Sequence, residues 1–231
     1  MNFHMEPKKP IVRRNYFNKN MNYYICSSGG CGSTMLMNYL NQFGNVYHIH
    51  DRHPPDNLCY IGGENTTEEV YREWFNTTEI PTDKLQNYKV IFLYRNPIQV
   101  IFSRCVHSKG PHVQHLKNIQ CINDGLIGLK DVLDSKMDLY GLEEFYDNYT
   151  TPKNRNYKIY CVKYEQLFEN ISLFNRVLGL PDVKQLYPTK NERPKRLTHL
   201  NELTTIYSKL ITKMRMMPFI RIIESNKNLN K

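Results

Sequence analysis

The segment Lys89-Val90-Ile91-Phe92-Leu93-Tyr94 is a nearly unbroken apolar run of strand length. A strand wetted on one side alternates apolar and polar residues. One that does not alternate is covered on both faces, as parallel strands of α/β sheets are. The run ends at Arg95-Asn96-Pro97, and a helical pattern follows in which Ile98, Ile101, Phe102 and Cys105 share a face. A similar strand, turn and helix occurs earlier. Residues 23–26 lead through Ser27-Ser28-Gly29-Gly30-Cys31-Gly32 into a helix from Ser33, with Met35, Leu36, Tyr39, Leu40 and Phe43 on its apolar side and Gly44 as its stop.

Further strands are expected at residues 46–51 and 157–162. Helices are expected near 68–75, 126–133, 142–149 and 171–178, with a turn or helix at 164–168. Residues 181–196 read as a basic, proline-punctuated loop, and 200–217 as one long closing helix. Strands alternating with helices give an α/β class with a mainly parallel sheet. A length of 231 residues suits one domain, at residues 21–231, behind a polar, basic and flexible arm at 1–20.

Composition narrows the setting. The net charge is +9, which favours anionic partners. No stretch approaches the ~18 apolar residues of a membrane span. The arm carries Lys8, Lys9, Arg13 and Arg14 without an apolar core, so it does not read as a signal peptide. A cytoplasmic protein is expected, with its six cysteines reduced and its sequons at Asn65, Asn76, Asn148 and Asn170 idle. There is no alanine, and asparagine occurs 25 times. That bias resembles an AT-rich genome, such as a parasite's or a large DNA virus's; a viral protein would work in the host cytoplasm.

Ligands on parallel sheets sit beyond the carboxyl ends of the strands. Four chemistry-bearing loops are expected there: residues 27–34, 50–53, 95–103 and 163–165. In the first, glycines let backbone amides converge on a phosphate, with the helix start at Ser33-Thr34 adding partial positive charge. The lysine of a G-x-x-x-x-G-K-[ST] loop is missing, because Gly32 is followed directly by Ser33, and this disfavours hydrolysis of ATP or GTP. In the third, Arg95 and a hydroxyl eight residues on, Ser103, suit a second phosphate; an arginine paired with a structural carboxylate is the plainer alternative. The His-rich run His48 to His53 closes the second strand, where alternation sets His48 and His50 on one face and Ile49 on the other. A second cluster, His107, His112 and His115 with Cys105 and Cys121, matches no common closed zinc spacing, so no metal is expected. Tyr140 to Tyr149 and the Met-rich run from Met214 to Met217 read as core or groove lining.

Taken together these residues resemble the sulfotransferase superfamily, whose donor is 3′-phosphoadenosine-5′-phosphosulfate. Tyr24-Ile25-Cys26-Ser27-Ser28-Gly29-Gly30-Cys31-Gly32-Ser33-Thr34 is similar to the loop for the 5′-phosphosulfate. Ile91-Phe92-Leu93-Tyr94-Arg95-Asn96-Pro97 with Ser103 is similar to the 3′-phosphate element, and Val162-Lys163-Tyr164-Glu165-Gln166-Leu167 to the K-Y-E-x-L segment near the adenine. The resemblance spans residues 22–180 and implies a three-layer α/β fold, its mainly parallel sheet flanked by helices, related to P-loop nucleotide kinases. It implies that Ser28, Gly29, Gly30, Cys31, Gly32, Ser33 and Thr34 hold the donor's 5′ side. Arg95 and Ser103 would hold its 3′-phosphate, closed over by Lys195 or Arg196, with Tyr164 near the adenine. His50 or His53 is the implied base toward an acceptor hydroxyl on a sugar, a phenol or another small molecule, with Asp51 and Glu64 as carboxylate alternatives. Gly30 or Cys31 stands where many members carry a loop lysine or arginine, so Arg52 or Lys195 is expected to substitute. The mechanism requires no metal. Alternatives are a nucleotide-binding protein without turnover, a nucleotide kinase, and a basic nucleic-acid-binding module. The last predicts basic residues interleaved with aromatics on one face, whereas here the charge is spread along the chain, so no nucleic-acid partner is expected.

Overall fold

The computed structural model describes residues 18, 20–61, 74, 78–103, 127–189 and 198–224. Several expectations fall outside them: most of the N-terminal arm, Glu64, most of the helix near 68–75, the second His cluster, Lys195 and Arg196. Five strands form one sheet in the order β2-β1-β3-β4-β5: β1 (Asn22–Cys26), β2 (Asn45–Ile49), β3 (Tyr88–Tyr94), β4 (Ile159–Lys163) and β5 (Ile220–Ile223). The first four run parallel, and β5 runs antiparallel along the free side of β4. The class is α/β, as the alternation of patterns predicts.

The register gathers the strand ends along one edge, with β3 and β4 running two residues past β1 and β2. Cys26 of β1 lies beside Ile49 of β2 and Phe92 of β3, and Tyr94 at the end of β3 lies beside Lys163 at the end of β4. Every loop singled out from sequence therefore leaves the same rim. Helix α1 (Ser33–Leu40) follows the first loop, α2 (Pro97–Ile101) the third, and α5 (Tyr164–Leu167) begins where β4 stops. The remaining helices are α3 (Leu129–Ser135), α4 (Leu142–Thr150), α6 (Ile171–Leu178), α7 (Leu200–Ile206) and α8 (Ser208–Met216). None of the helices among the described residues is long and apolar enough to cross a membrane.

Alternation along β3 explains its composition. Phe92 and Tyr94 face α4, where Phe92 stacks on Tyr149 with ring centroids 4.5 Å apart and Tyr94 meets Tyr146 edge-on at 5.3 Å. Ile91 and Leu93 point the other way and are equally buried. Burial is worth about 1.5–3 kcal/mol for each such large apolar side chain, and each ring pair adds about 0.5–1.5 kcal/mol. On α8, Lys213 bonds Asp147 at 2.6 Å and Glu143 at 2.8 Å, and Lys209 bonds Glu143 at 2.8 Å, so α8 is tied to α4 beside the rim.

Strand β2 ends at Ile49 rather than residue 51, β4 covers 159–163 rather than 157–162, and α3 begins at Leu129 rather than near 126; three further differences have a physical reason. Helix α1 stops at Leu40, although Phe43 is buried as the pattern requires. The expected helix at 200–217 is two helices, because Tyr207 leaves helical geometry (φ −98°, ψ 12°) with its ring buried. Strand β5 was not expected at all. Pro218 ends the helical pattern, and the β-branched run Ile220, Ile222, Ile223 then supplies an edge strand.

On the far side of the rim loops, α1 and α6 are joined by a buried hydrogen bond, in which the Tyr39 hydroxyl donates to Asn175 Oδ1 at 2.7 Å. Tyr39→Phe leaves that acceptor short of its strongest donor inside the protein. A loss of about 1–3 kcal/mol is expected, read as a lower urea midpoint at unchanged m-value.

Candidate functional site

Residues 27–32 make a tight turn at the end of β1. Its entry is fixed by the Ser27 amide, which donates to the Ile49 carbonyl at 3.1 Å. Gly29 (φ 79°), Gly30 (φ 66°) and Gly32 (φ 86°) all sit in the left-handed region, where any other L-residue costs about 1–2 kcal/mol. At Gly32 space is as restrictive as torsion: a Cβ there would lie 2.2 Å from Cε2 of Tyr164. Ser33 opens α1 and is buried, while Thr34 beside it is exposed. Cys31 turns its thiol inward, donating to the Gly29 carbonyl at 3.3 Å, 3.6 Å from Ser28 Oγ. It is buried, so its side chain braces the turn from within.

Arg95 leaves the end of β3 and reaches back to this turn. Its Nη1 donates to the Gly30 carbonyl at 3.2 Å, and its Cζ lies 4.6 Å from the centre of the Tyr164 ring. Among the described residues Arg95 forms no ion pair, and its Nε is buried without a hydrogen-bond partner. The plainer reading of this residue, pairing with a structural carboxylate, does not describe what it does here. Glu165 instead takes the neighbouring backbone, accepting the Asn96 amide at 2.7 Å, while Asn96 Oδ1 caps α2 by accepting Ile98 N at 3.0 Å. Ser103 is half-buried just beyond α2. Ends of β1, β3 and β4 thus converge on one spot through Gly30, Gly32, Arg95 and Tyr164.

The segment after β2 divides into different roles. His48 and His50 do share a face, with ring centroids 4.1 Å apart, and Ile49 is buried on the other. His50 is buried, and its Nδ1 lies 2.7 Å from the Ser27 carbonyl and 3.5 Å from Ser27 Oγ. A carbonyl only accepts, so Nδ1 carries the proton and the lone pair of the neutral ring is on Nε2. His53 is exposed, its Nε2 3.8 Å from Glu144 Oε1. Asp51 accepts the His53 amide at 2.8 Å through one oxygen and the Trp74 amide at 3.2 Å through the other. Both oxygens therefore serve backbone.

Arg52 corrects the expectation placed on it. Rather than standing as a loose cation in place of the loop lysine, it is 4% exposed and held by Glu144 at 2.8 Å and the Tyr140 carbonyl at 3.0 Å. The close approach at Gly141 (φ 58°), where a Cβ would lie 2.4 Å from Arg52 Nη2, seats it against the start of α4. The cation that the described structure brings to the glycine turn is Arg95. The sequence reading assigned Tyr164 but gave Glu165 no role, although its place in the K-Y-E segment was the available signal.

No protein-family model, curated protein or solved structure matches the chain.

Because φ and contact both exclude a side chain at residue 32, Gly32→Ala is expected to destabilise the protein by more than the ~1–2 kcal/mol of torsional strain alone. In a Tyr164→Ala background the steric part disappears, so the same substitution should cost measurably less. Urea denaturation of the four proteins of that cycle reads the difference.

Proposed function

We propose that the chain is a sulfotransferase that moves a sulfuryl group from 3′-phosphoadenosine-5′-phosphosulfate to an acceptor hydroxyl. The observation that carries this reading is Arg95. It is a guanidinium without an ion pair among the described residues, lodged against a turn of three left-handed glycines and the ring of Tyr164. An uncompensated cation beside converging backbone amides favours a phosphate-bearing ligand, and the strand order reverses between β1 and β3, the switch point at which open parallel sheets take one. The P-loop-kinase-like sulfotransferase fold is part of this proposal. The parallel order β2-β1-β3-β4, with the glycine turn after β1, is compatible with it.

In the proposed reaction the acceptor oxygen attacks sulfur as the bond from sulfur to the 5′-phosphate oxygen breaks, and the acceptor proton passes to a base. His50 is the better placed of the two sequence candidates. Its Nδ1–H is spent on the loop's own Ser27 carbonyl, which orients Nε2 as the proton acceptor. His53 is directed to Glu144 instead. The leaving phosphate would meet the amides of residues 28–34. Arg95 would hold the 3′-phosphate beside them, and no described residue is assigned the task other members give to a loop lysine. A second reading, nucleotide binding without turnover, is favoured by the commitment of Arg52 to Glu144, which removes one substitute for that lysine.

Two measurements test the proposal. In a thermal-shift series with 3′-phosphoadenosine-5′-phosphate, 5′-AMP and ATP, only the bisphosphate should stabilise. Near 100 times its Kd the gain should be about 2.7 kcal/mol, and Arg95→Ala should lose it. Preference for ATP points to a kinase, and silence toward all three removes the donor site. His50→Asn keeps an N–H for the Ser27 carbonyl and deletes Nε2. It should bind the bisphosphate as wild type does, yet lower the transfer rate by about 10²–10⁴; an unchanged rate would acquit His50.

A further inference from the structure

On the α4 and α8 side of the sheet, away from the ring of Tyr164, a cavity of about 380 Å³ opens at the ends of β3 and β4. Tyr94, Asn96, Lys163 and Glu165 form its floor, and Ile211, Met214 and Arg215 of α8 its roof. The volume lies within the roughly 300–1,000 Å³ typical of small-molecule sites. A second, much smaller void of about 10 Å³ shares Tyr94, Pro97 and Met214 with the cavity and is also lined by Ser28 of the glycine turn and by Arg95.

The lining describes its ligand. Asn96, Gln166 and Glu165 offer amide and carboxylate groups at short spacing, set against the apolar surfaces of Pro97, Ile211 and Met214. A purely apolar guest would desolvate all three polar groups without replacing their water. The hydroxyls of Tyr94 and, beside the smaller void, Tyr146 are buried with no hydrogen-bond partner among the described residues, so polar capacity is unspent here. Charge is unspent as well. Lys163 donates to the Met217 carbonyl at 2.7 Å, but a carbonyl does not neutralise an ammonium, and neither Lys163 nor Arg215 forms an ion pair among the described residues. Burial lowers the pKa of Lys163, and the nearby Glu165 carboxylate opposes that shift without forming an ion pair with it. Glu165, the carboxylate in the wall, already has one oxygen on the Asn96 amide.

We propose that this cavity binds a hydroxyl-rich ligand of sugar size with one acidic group, the acid lying between Lys163 and Arg215 and the hydroxyls on Asn96, Glu165 and Gln166. The binding claim stands on the cavity alone. Its further identification as the acceptor, bound beside the void that Ser28 and Arg95 line, rests on the sulfotransferase reading above. On that reading the acceptor class is an acidic saccharide rather than a phenol or an uncharged sugar.

Saturation-transfer NMR titrations with D-glucuronate and D-glucose test it, on the full chain and on Arg215→Gln. Arg215 is exposed, so its removal should leave the fold intact, which unchanged affinity for 3′-phosphoadenosine-5′-phosphate would verify. Glucuronate should bind at least tenfold more tightly than glucose, Arg215→Gln should erase that preference, and the bisphosphate should not displace glucuronate. Equal binding of the two sugars, no binding of glucuronate, an unaffected Arg215→Gln, or displacement by the bisphosphate would each overturn the proposal. The last would mean that the acid had entered the glycine turn. A chain that binds glucuronate as expected but ignores the bisphosphate would lose the donor reading and keep this site.

Discussion

Between the start of α1 and the ring of Tyr164 there is no room for a side chain, and the whole rim is organised by that exclusion. The turn after β1 approaches the segment after β4 across the end of β3, and the space left is filled by the flat guanidinium of Arg95 on the flat face of Tyr164. The register shapes the approach: β3 and β4 end together at Tyr94 and Lys163, two residues beyond the paired ends of β1 and β2. The apolar run of β3 and the glycine turn are thus parts of one constraint. A strand buried on both faces sits centrally in the sheet, and only a central strand delivers its last residue between two others.

Two arginines at this rim illustrate how surroundings decide a role. Arg52 is almost fully buried and met by a carboxylate, a carbonyl and a glycine shaped to admit it. Such a charge is a structural strut, because moving it would strand a guanidinium in a low-dielectric interior. Arg95 is only half-buried, has a carbonyl and an aromatic face, and lacks a counter-ion among the described residues. Both carry the same charge on an equally long arm. Only the second has electrostatic capacity left for a ligand.

Much of this arrangement was legible in the chain. Residues 89–94 announced a covered strand, Ile171–Leu178 was read to the residue, and the loops holding chemistry were placed at strand ends by alternation of patterns alone. What escaped were features decided by distant partners. Nothing local in Asp-Arg-His says that Arg52 faces Glu144, ninety-two positions along the chain. Nothing in Lys-Tyr-Glu says that Glu165 takes the Asn96 amide while Tyr164 takes Arg95. Tyr207 interrupts an otherwise good helical pattern because its ring is buried, a tertiary preference overriding propensity. Strand β5 was missed for a simpler reason: a short apolar run after a proline reads as an appendage until a strand with an open edge is known to wait for it.

That late strand bears on how the protein is made. The Lys163 amide donates to the Phe219 carbonyl at 3.0 Å, and its ammonium to the Met217 carbonyl at 2.7 Å. Both partners leave the ribosome only after α5, α6, α7 and α8 have been synthesised. Throughout that interval β4 presents a bare row of backbone donors and acceptors, the kind of edge that recruits other chains. The rim can be assembled from β1, β2 and β3 early in translation, but its β4 end stays unsealed until the segment after Pro218 folds back. Growing chains held short of that point are the form of this protein most exposed to mispairing.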